Sequence, residues 1–196
     1  MSRAAAVDAD QRRRLLVILG SVVAGVVVID QVTKALAVAY LRPRIEAGEG
    51  PLDLIGPILK LTYTLNSGAA FSIGTGFTWI FTAIAVVVVI VIARTARRLG
   101  SLWWAIALGG LLGGAIGNLL DRAFRYPGPG RGYVVDFLEL PRWPIFNVAD
   151  MAVVGSAILM VILSLTGVEL GGRRADDAPP DADDADALPR PPATDA

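Results

Sequence analysis

Long apolar stretches without charged residues dominate the pattern of hydrophobic and polar positions along the chain. Asp, Glu, Lys and Arg are absent from the 33 residues after Lys60, the 22 residues after Arg98 and the 18 residues after Asp150. A helix needs about 20 apolar residues to cross the hydrocarbon core of a bilayer. The pattern therefore predicts membrane-spanning helices at about residues 73–93, 100–120 and 148–168.

A further apolar stretch near the N-terminus is interrupted by charge. It is uncharged over residues 15–29 and spans a membrane only if the helix continues past Asp30 and Lys34, to about residue 41. A cleaved signal peptide is the alternative, since the basic start and apolar stretch fit its outline. The charged pair is more easily explained inside a retained helix, so we expect a first span at about residues 15–41.

The connection after the first span contains a predicted strand. From Leu59 to Asn66, apolar and polar residues alternate with a period of two, which is typical of a half-buried strand. We expect a small sheet at the outer membrane surface. Two interpretations stay open: the sheet packs against the helix ends, or its edge holds an extended peptide by main-chain hydrogen bonds.

Composition and charge complete the expected organisation. Hydrophobic residues make up 54% of the 196 residues, and the 18 basic and 18 acidic residues cancel, so nothing favours nucleic acid as a partner. We expect a cytoplasmic segment at residues 1–14, a four-helix membrane domain at 15–168 and a disordered acidic Ala/Pro tail at 169–196. Basic residues beside the helix ends favour a cytoplasmic location for both termini.

Two residue types are missing, and their absence restricts the chemistry. The chain has no cysteine and no histidine. This excludes a thiol nucleophile, thiolate metal sites, the Ser-His-Asp triad and the HExxH zinc site on this chain. Acid and base catalysis would have to come from Asp, Glu, Lys, Arg or Tyr. No metal and no organic cofactor is expected.

Glycine recurs at four-residue spacing in the predicted third span. One series is Gly109, Gly113 and Gly117, and a second is Gly110 and Gly114. Small residues at this spacing allow helices to approach closely in lipid. Helix packing is the simpler interpretation, and room for a substrate helix is the alternative.

Several polar residues lie within or beside the spans, where they need partners. Asp30 and Lys34 are four residues apart and can neutralise each other, as a structural pair or as part of a site. Asn118 and Arg122 share that spacing, and Arg122 could bind a carbonyl or a phosphate. Asp121 ends a helix, so we expect a structural partnership with nearby backbone or Arg122 rather than a catalytic role.

Asp136 and Asp150 are the remaining candidates for acid and base chemistry. Asp136 follows a Pro/Gly-rich turn, and Asp150 begins the fourth span with Asn147 in the position of a helix cap. The chain between them can fold back so that the two carboxyl groups meet. Such a pair shares one proton and can activate a water for attack on a peptide carbonyl. A cap or a structural ion pair is the alternative for each.

Five sequence blocks in order resemble the bacterial lipoprotein signal peptidases, or signal peptidase II. The blocks are Asp30-Gln31-Val32-Thr33-Lys34, Asn66-Ser67-Gly68-Ala69-Ala70-Phe71-Ser72, Gly117-Asn118-Leu119-Leu120-Asp121-Arg122, Val134-Val135-Asp136-Phe137 and Phe146-Asn147-Val148-Ala149-Asp150. The resemblance covers about residues 15–167. The acidic tail and the Pro/Gly-rich insert before Asp136 depart from the family.

The resemblance implies an all-α membrane protein with four transmembrane helices, a small extracytoplasmic β-sheet after the first helix and an aspartyl protease activity. The implied substrates are prolipoproteins, cleaved on the N-terminal side of a diacylglyceryl-modified cysteine in the bacterial inner membrane. Membrane lipid and globomycin-type cyclic peptide inhibitors are the other implied partners. The implied catalytic residues are Asp136 and Asp150, near the extracytoplasmic face. The implied supporting residues are Asp30, Lys34, Asn66, Asn118, Arg122 and Asn147.

Other functional classes fit the apolar pattern less well. A small proton-coupled transporter would also place acids in a membrane, but the chain has no evident internal repeat. A presenilin-like protease would carry a Gly-x-Gly-Asp sequence, which is absent.

Overall fold

The computed structural model describes residues 3–68 and 78–172. The chain is mostly helical, with one small antiparallel sheet. The helices are α1 (Arg3–Leu36), α2 (Arg42–Glu46), α3 (Thr78–Thr95), α4 (Leu102–Phe124) and α5 (Val148–Leu165), and the strands are β1 (Leu52–Ile55), β2 (Leu59–Asn66) and β3 (Val134–Glu139).

The first helix is longer than the sequence pattern predicts. It begins at Arg3, inside the segment expected to precede the membrane domain, and it continues past Asp30 and Lys34 as expected. A π-helical turn, Ala37–Leu41, joins α1 directly to α2. The charged pair does not end the helix because it lies on the side that faces α4 and α5, where both side chains are fully buried.

Helix α4 is the centre of the bundle, and its glycines allow close packing on two sides. A Cβ atom at Gly113 would come within 2.8 Å of Val26 in α1, and one at Gly114 would come within 2.5 Å of the Ala149 carbonyl oxygen in α5. The two glycine series predicted from the sequence therefore face different neighbours. The packing interpretation of the glycine pattern is confirmed.

The sheet in the described residues has three strands, of which β1 and β2 lie between α2 and α3 in the chain, whereas β3 comes after α4. Strand β2 pairs with β1 on one side and with β3, which follows α4, on the other. The predicted strand from Leu59 to Asn66 is confirmed. Thr64 in β2 lies opposite Asp136 in β3. The sheet thus carries Asp136 to the end of the bundle at which α5 begins.

Three described helical segments are long and apolar enough to cross a membrane: Ala9–Glu46, Leu102–Phe124 and Val148–Leu165. They correspond to the predicted spans 15–41, 100–120 and 148–168. The predicted span 73–93 corresponds to α3, which has 18 residues and is not among the three. Residues 73–77 of that span and residues 173–196 of the predicted tail lie outside the described residues.

Candidate functional site

A buried ion cluster joins α1 to α4. The Lys34 ammonium lies 2.9 Å from Asp30 Oδ2 and 2.9 Å from Asp121 Oδ2, and none of the three side chains is exposed to solvent. Arg125 Nε lies 2.6 Å from Asp121 Oδ1. Two cations therefore balance two anions, which offsets the cost of burying these charges.

The cluster also holds the start of α5. Asp30 Oδ1 accepts a hydrogen bond from the Ala149 backbone N–H at 3.0 Å. This N–H lies in the first turn of α5, where backbone donors have no partner within the helix. Asp30 therefore fixes where α5 begins relative to α1.

Asn118 connects the ion cluster to Asp150. Its side-chain oxygen accepts hydrogen bonds from Lys34 Nζ at 2.9 Å and Asn147 Nδ2 at 3.2 Å. Its Nδ2 donates to Asp150 Oδ1 at 2.8 Å. The Asn118 amide thus links the buried ion cluster to the half-buried carboxylate of Asp150 and orients that carboxylate.

Asn147 caps α5, as the sequence predicts, and forms a reciprocal capping box with Asp150. Asn147 Oδ1 accepts from the Asp150 backbone N–H at 3.0 Å, and the Asn147 backbone N–H donates to Asp150 Oδ2 at 3.1 Å. Both oxygens of Asp150 therefore accept hydrogen bonds, and the helix dipole favours a negative charge at this position.

The same Asn147 side chain reaches Asp136. Asn147 Nδ2 donates to Asp136 Oδ1 at 2.6 Å, and Asn66 Nδ2 donates to Asp136 Oδ2 at 2.9 Å. The Asn66 amide is oriented by its oxygen, which accepts from the Gly68 backbone N–H at 2.8 Å. Asn147 therefore bonds to both candidate carboxyl groups, to that of Asp136 through its side chain and to that of Asp150 through its backbone N–H.

Asp136 is almost completely buried, with 1% of its surface exposed. Burial, together with the nearby charge of Asp150, raises its pKa to about 6, against the lowering effect of the hydrogen bonds from Asn66 and Asn147. Asp136 also lines a cavity of about 250 Å³ between β2 and the Pro144-Ile145 segment. A carboxyl group that keeps its proton to a higher pH than an ordinary aspartate thus lines a small open cavity.

Asp121 has ion-pair partners that the sequence did not indicate. It pairs with Lys34 and with Arg125. It also accepts from the Val135 backbone N–H at 3.2 Å, next to Asp136. Arg122 is 9% exposed, and its backbone oxygen accepts from Gly132 N–H at 3.0 Å, which anchors the segment before β3.

Gln31 belongs to the site although the sequence analysis did not single it out. Gln31 Nε2 lies within hydrogen-bonding distance of three oxygens, Asp30 Oδ2 at 3.1 Å, Gly117 O at 3.0 Å and Asp121 Oδ1 at 3.3 Å. Its place in the sequence block from Asp30 to Lys34 was the signal that could have found it. Gln31 links α1 and α4 beside the ion cluster.

The family of the chain follows from its similarity to known proteins. A family model described as Signal peptidase (SPase) II matches residues 22–166. The chain belongs to the signal peptidase II family. The transporter alternative is not supported, because this is a family of peptidases.

Relatives in this family are similar over most of their length. The lipoprotein signal peptidase of Mycolicibacterium smegmatis is 51% identical over 185 residues, which cover 92% of this chain and 76% of the relative. That of Mycobacterium avium is 53% identical over 167 residues, covering 84% of this chain and 89% of the relative. The insert and tail therefore do not prevent alignment of most of the chain with other signal peptidase II enzymes.

A solved structure shares the fold. It is described as "Bacterial membrane enzyme structure by the in meso method at 1.9 A resolution". It superimposes with a TM-score of 0.62 at 28% sequence identity, over 74% of this chain and 90% of that chain. This signal peptidase II family member is therefore a membrane-embedded peptidase with a mostly helical fold.

Proposed function

We propose that the protein is an aspartyl endopeptidase that cleaves prolipoproteins on the N-terminal side of a diacylglyceryl-modified cysteine. Membership of the signal peptidase II family supports removal of signal peptides from prolipoproteins. The observation that carries the aspartyl mechanism is the contact of Asn147 with both Asp136 and Asp150. One helix-cap residue thus bonds to both carboxyl groups, to that of Asp136 through its side chain and to that of Asp150 through its backbone N–H.

The two aspartates have different roles in the proposed reaction. In the reactive form Asp136 is protonated, and it donates that proton to the scissile carbonyl oxygen; burial raises its pKa to about 6, which increases the share of this form. Asp150, stabilised as an anion by two N–H donors and the helix dipole, accepts a proton from the attacking water. The products of this step are a neutral diol, an Asp136 carboxylate and a protonated Asp150.

The second step restores both groups. Asp136 takes the proton from one hydroxyl of the diol as the carbonyl reforms and the C–N bond breaks. Asp150 gives its proton to the departing amine. Each aspartate thus returns to its starting state, and one water has been consumed for each peptide bond cleaved. Asn66, Asn118 and Asn147 keep the two carboxyl groups oriented throughout.

The membrane contributes to substrate selection in this proposal. The diacylglyceryl chains stay in the outer leaflet while the scissile bond enters the site, and each buried CH₂ group adds ~0.8 kcal/mol to membrane partitioning. Globomycin-type cyclic peptides would act by occupying the space beside Asp136 and Asp150.

The proposed topology has four spans in the bacterial inner membrane. Helix α3 has 18 residues, which at ~1.5 Å per residue approaches the ~30 Å hydrocarbon thickness. When α3 is counted together with the three other spanning segments, the chain crosses the membrane four times. Both termini then lie in the cytoplasm, and the two aspartates lie near the extracytoplasmic face. Arg94, Arg97 and Arg98 at the end of α3 support this orientation.

The test compares cleavage of a diacylglyceryl-modified peptide with cleavage of its unlipidated twin. Asp136→Asn and Asp150→Asn should each abolish cleavage of the lipidated peptide while the protein stays folded. Asp53→Asn is the matched control, since Asp53 lies on the same sheet with 64% of its side chain exposed, and it should leave the rate unchanged.

Two outcomes would contradict the proposal. Substantial turnover by Asp136→Asn or Asp150→Asn would remove the aspartyl mechanism. Equal cleavage rates for the lipidated and unlipidated peptides would remove the proposed role of the lipid.

A further inference from the structure

A basic cavity lies at the end of the helix bundle opposite Asp136 and Asp150. Its walls come from the start of α1, the turn between α3 and α4, and the segment after α5. Arg12, Arg97 and Arg98 line this cavity of about 340 Å³, together with Gly171. We call it the arginine pocket. No Asp or Glu of the described residues lines it.

Among the side chains that the structure describes in residues 9–68 and 78–172, the three arginines of the pocket have no acidic partner within ion-pair distance. The ion pairs found there involve other basic residues, namely Lys34, Arg42, Arg44, Lys60 and Arg125. Three positive charges around one cavity repel each other and attract anions, since a recess lined by charge of one sign focuses the field. The pocket therefore favours an occupant with several negative charges.

The chain itself carries such a group immediately beyond the pocket. Residues 173–196 contain seven aspartates and three arginines, and six of the aspartates fall between Asp176 and Asp186. Asp176 is five residues from Gly171 in the pocket wall. Because an extended chain spans up to ~3.6 Å per residue, this acid can reach ~18 Å from Gly171.

Covalent attachment makes this segment an effective competitor for the pocket. A short tether gives an effective concentration on the order of millimolar, with no cost for bringing a separate partner to the site. Each exposed ion pair is weak on its own, so the contact depends on several aspartates meeting several arginines. Its strength should fall as salt shortens the Debye length from ~10 Å at 0.1 M to ~3 Å at 1 M.

We infer that the acidic C-terminal segment of this chain docks in the arginine pocket. The contact links α1, the α3–α4 turn and the end of α5 at the side of the bundle remote from the two aspartates. A phospholipid phosphate is the competing anion, but one headgroup phosphate matches the three arginines less well than a run of six aspartates. The inference concerns this chain's own tail and does not depend on the peptidase mechanism.

A distance measurement between two spin labels tests the inference. The chain has no cysteine, so Ala9→Cys and Ala182→Cys place one label on α1 and one in the tail. The full-length protein is placed in phosphatidylcholine nanodiscs and studied by double electron–electron resonance. At low salt we expect the distances between the two labels to form a narrow population at short distance. High salt should broaden this distribution of distances.

Charge removal at the pocket provides the decisive comparison. Arg12→Gln/Arg97→Gln/Arg98→Gln should abolish the short-distance population. Arg13→Gln/Arg14→Gln/Arg94→Gln removes three charges from the same end of the bundle outside the pocket and should retain it. If the pocket variant does not fold, Asp→Asn changes at the six clustered aspartates give the same test from the tail.

Three results would overturn the inference. The first is a broad distribution of label-to-label distances at low salt in the protein with its charges intact. The second is an unchanged distribution after the charges of the pocket or of the tail are removed. The third is loss of the short-distance population when phosphatidylglycerol is added to the nanodiscs. The last result would assign the pocket to lipid headgroups.

Discussion

The ammonium group of Lys34 donates a hydrogen bond to the side-chain oxygen of Asn118 at 2.9 Å. Because an ammonium only donates, this contact fixes the Asn118 amide with its nitrogen toward Asp150, to which it donates at 2.8 Å. A charge buried within the helices thus sets the direction of a hydrogen bond at a proposed catalytic carboxylate.

Replacing Lys34 by methionine should destabilise the fold strongly. Lys34→Met keeps the length of the side chain but leaves Asp30 and Asp121 buried without their shared cation. Removing one partner of a buried pair costs ~3–5 kcal/mol. The free energy of unfolding, measured in mixed micelles, should fall by about this amount.

Lys60→Met is the matched control for this change. Lys60 is 39% exposed and lies 3.7 Å from Asp53, so its loss should cost less than ~1 kcal/mol. Equal effects of the two substitutions would show that the buried cluster contributes no more than a surface ion pair.

Asn147→Ala should affect both stability and turnover. It removes the cap of α5, which costs ~1 kcal/mol, and it releases Asp136 from its hydrogen bond of 2.6 Å. Misplacing a catalytic group by ~1 Å can reduce turnover ~100-fold. Cleavage of a lipidated peptide and the thermal unfolding midpoint measure the two effects.

Ser101→Ala is the matched control for Asn147→Ala. Ser101 occupies the N-cap of α4, and its side chain makes no cap hydrogen bond. We expect this variant to keep its stability and its activity. Full turnover by Asn147→Ala would mean that the position of Asp136 does not depend on the amide.

The rate should decrease as the pH rises through about 6. The pKa of Asp136 is raised, so the carboxyl group keeps its proton to a higher pH than usual and then loses the acidic form required for the first step. Above this pH the protonated fraction falls ~10-fold per unit. A profile of kcat/KM against pH in one detergent checks this, and a rate that is flat from pH 5 to ~8 would contradict the role of Asp136 as the acid.

Gly117→Ala should displace Asp30. A Cβ atom there would lie 2.6 Å from Asp30 Oδ2 and 3.3 Å from the Ala149 Cβ. Overpacking of this kind costs ~1–3 kcal/mol. Gly155→Ala in α5 is the control, since nothing lies within 4 Å of its Cβ position, and it should change stability by less than ~0.5 kcal/mol. Equal unfolding midpoints for the two variants would contradict this account of α4 packing.

Local spacing was sufficient to predict several parts of the site. Asp30 and Lys34 at four-residue spacing form the expected pair, and Asn147 three residues before Asp150 forms the expected cap. The glycine repeat predicted the close approach of α4 to its neighbours. These features depend on helix geometry, which short sequence patterns reveal.

Contacts between distant segments could not be predicted in the same way. Asp121 pairs with Lys34, which lies on α1 and far away along the chain, and no sequence pattern indicated this partner. The pairing of β3 with β2 joins strands separated by α3 and α4. No local pattern indicates such a pairing, although it determines where Asp136 lies.

The hydrogen bond from Ala149 to Asp30 has a consequence for biogenesis. The two residues are 119 positions apart, so at ~5–20 residues per second the ribosome makes Ala149 roughly 6–24 s after Asp30. During that interval α1 has its Asp30–Lys34 pair without the donor from α5. Assembly of the membrane domain is therefore completed only when the last helix inserts, and nascent chains that stop before Ala149 should be targets for membrane quality control.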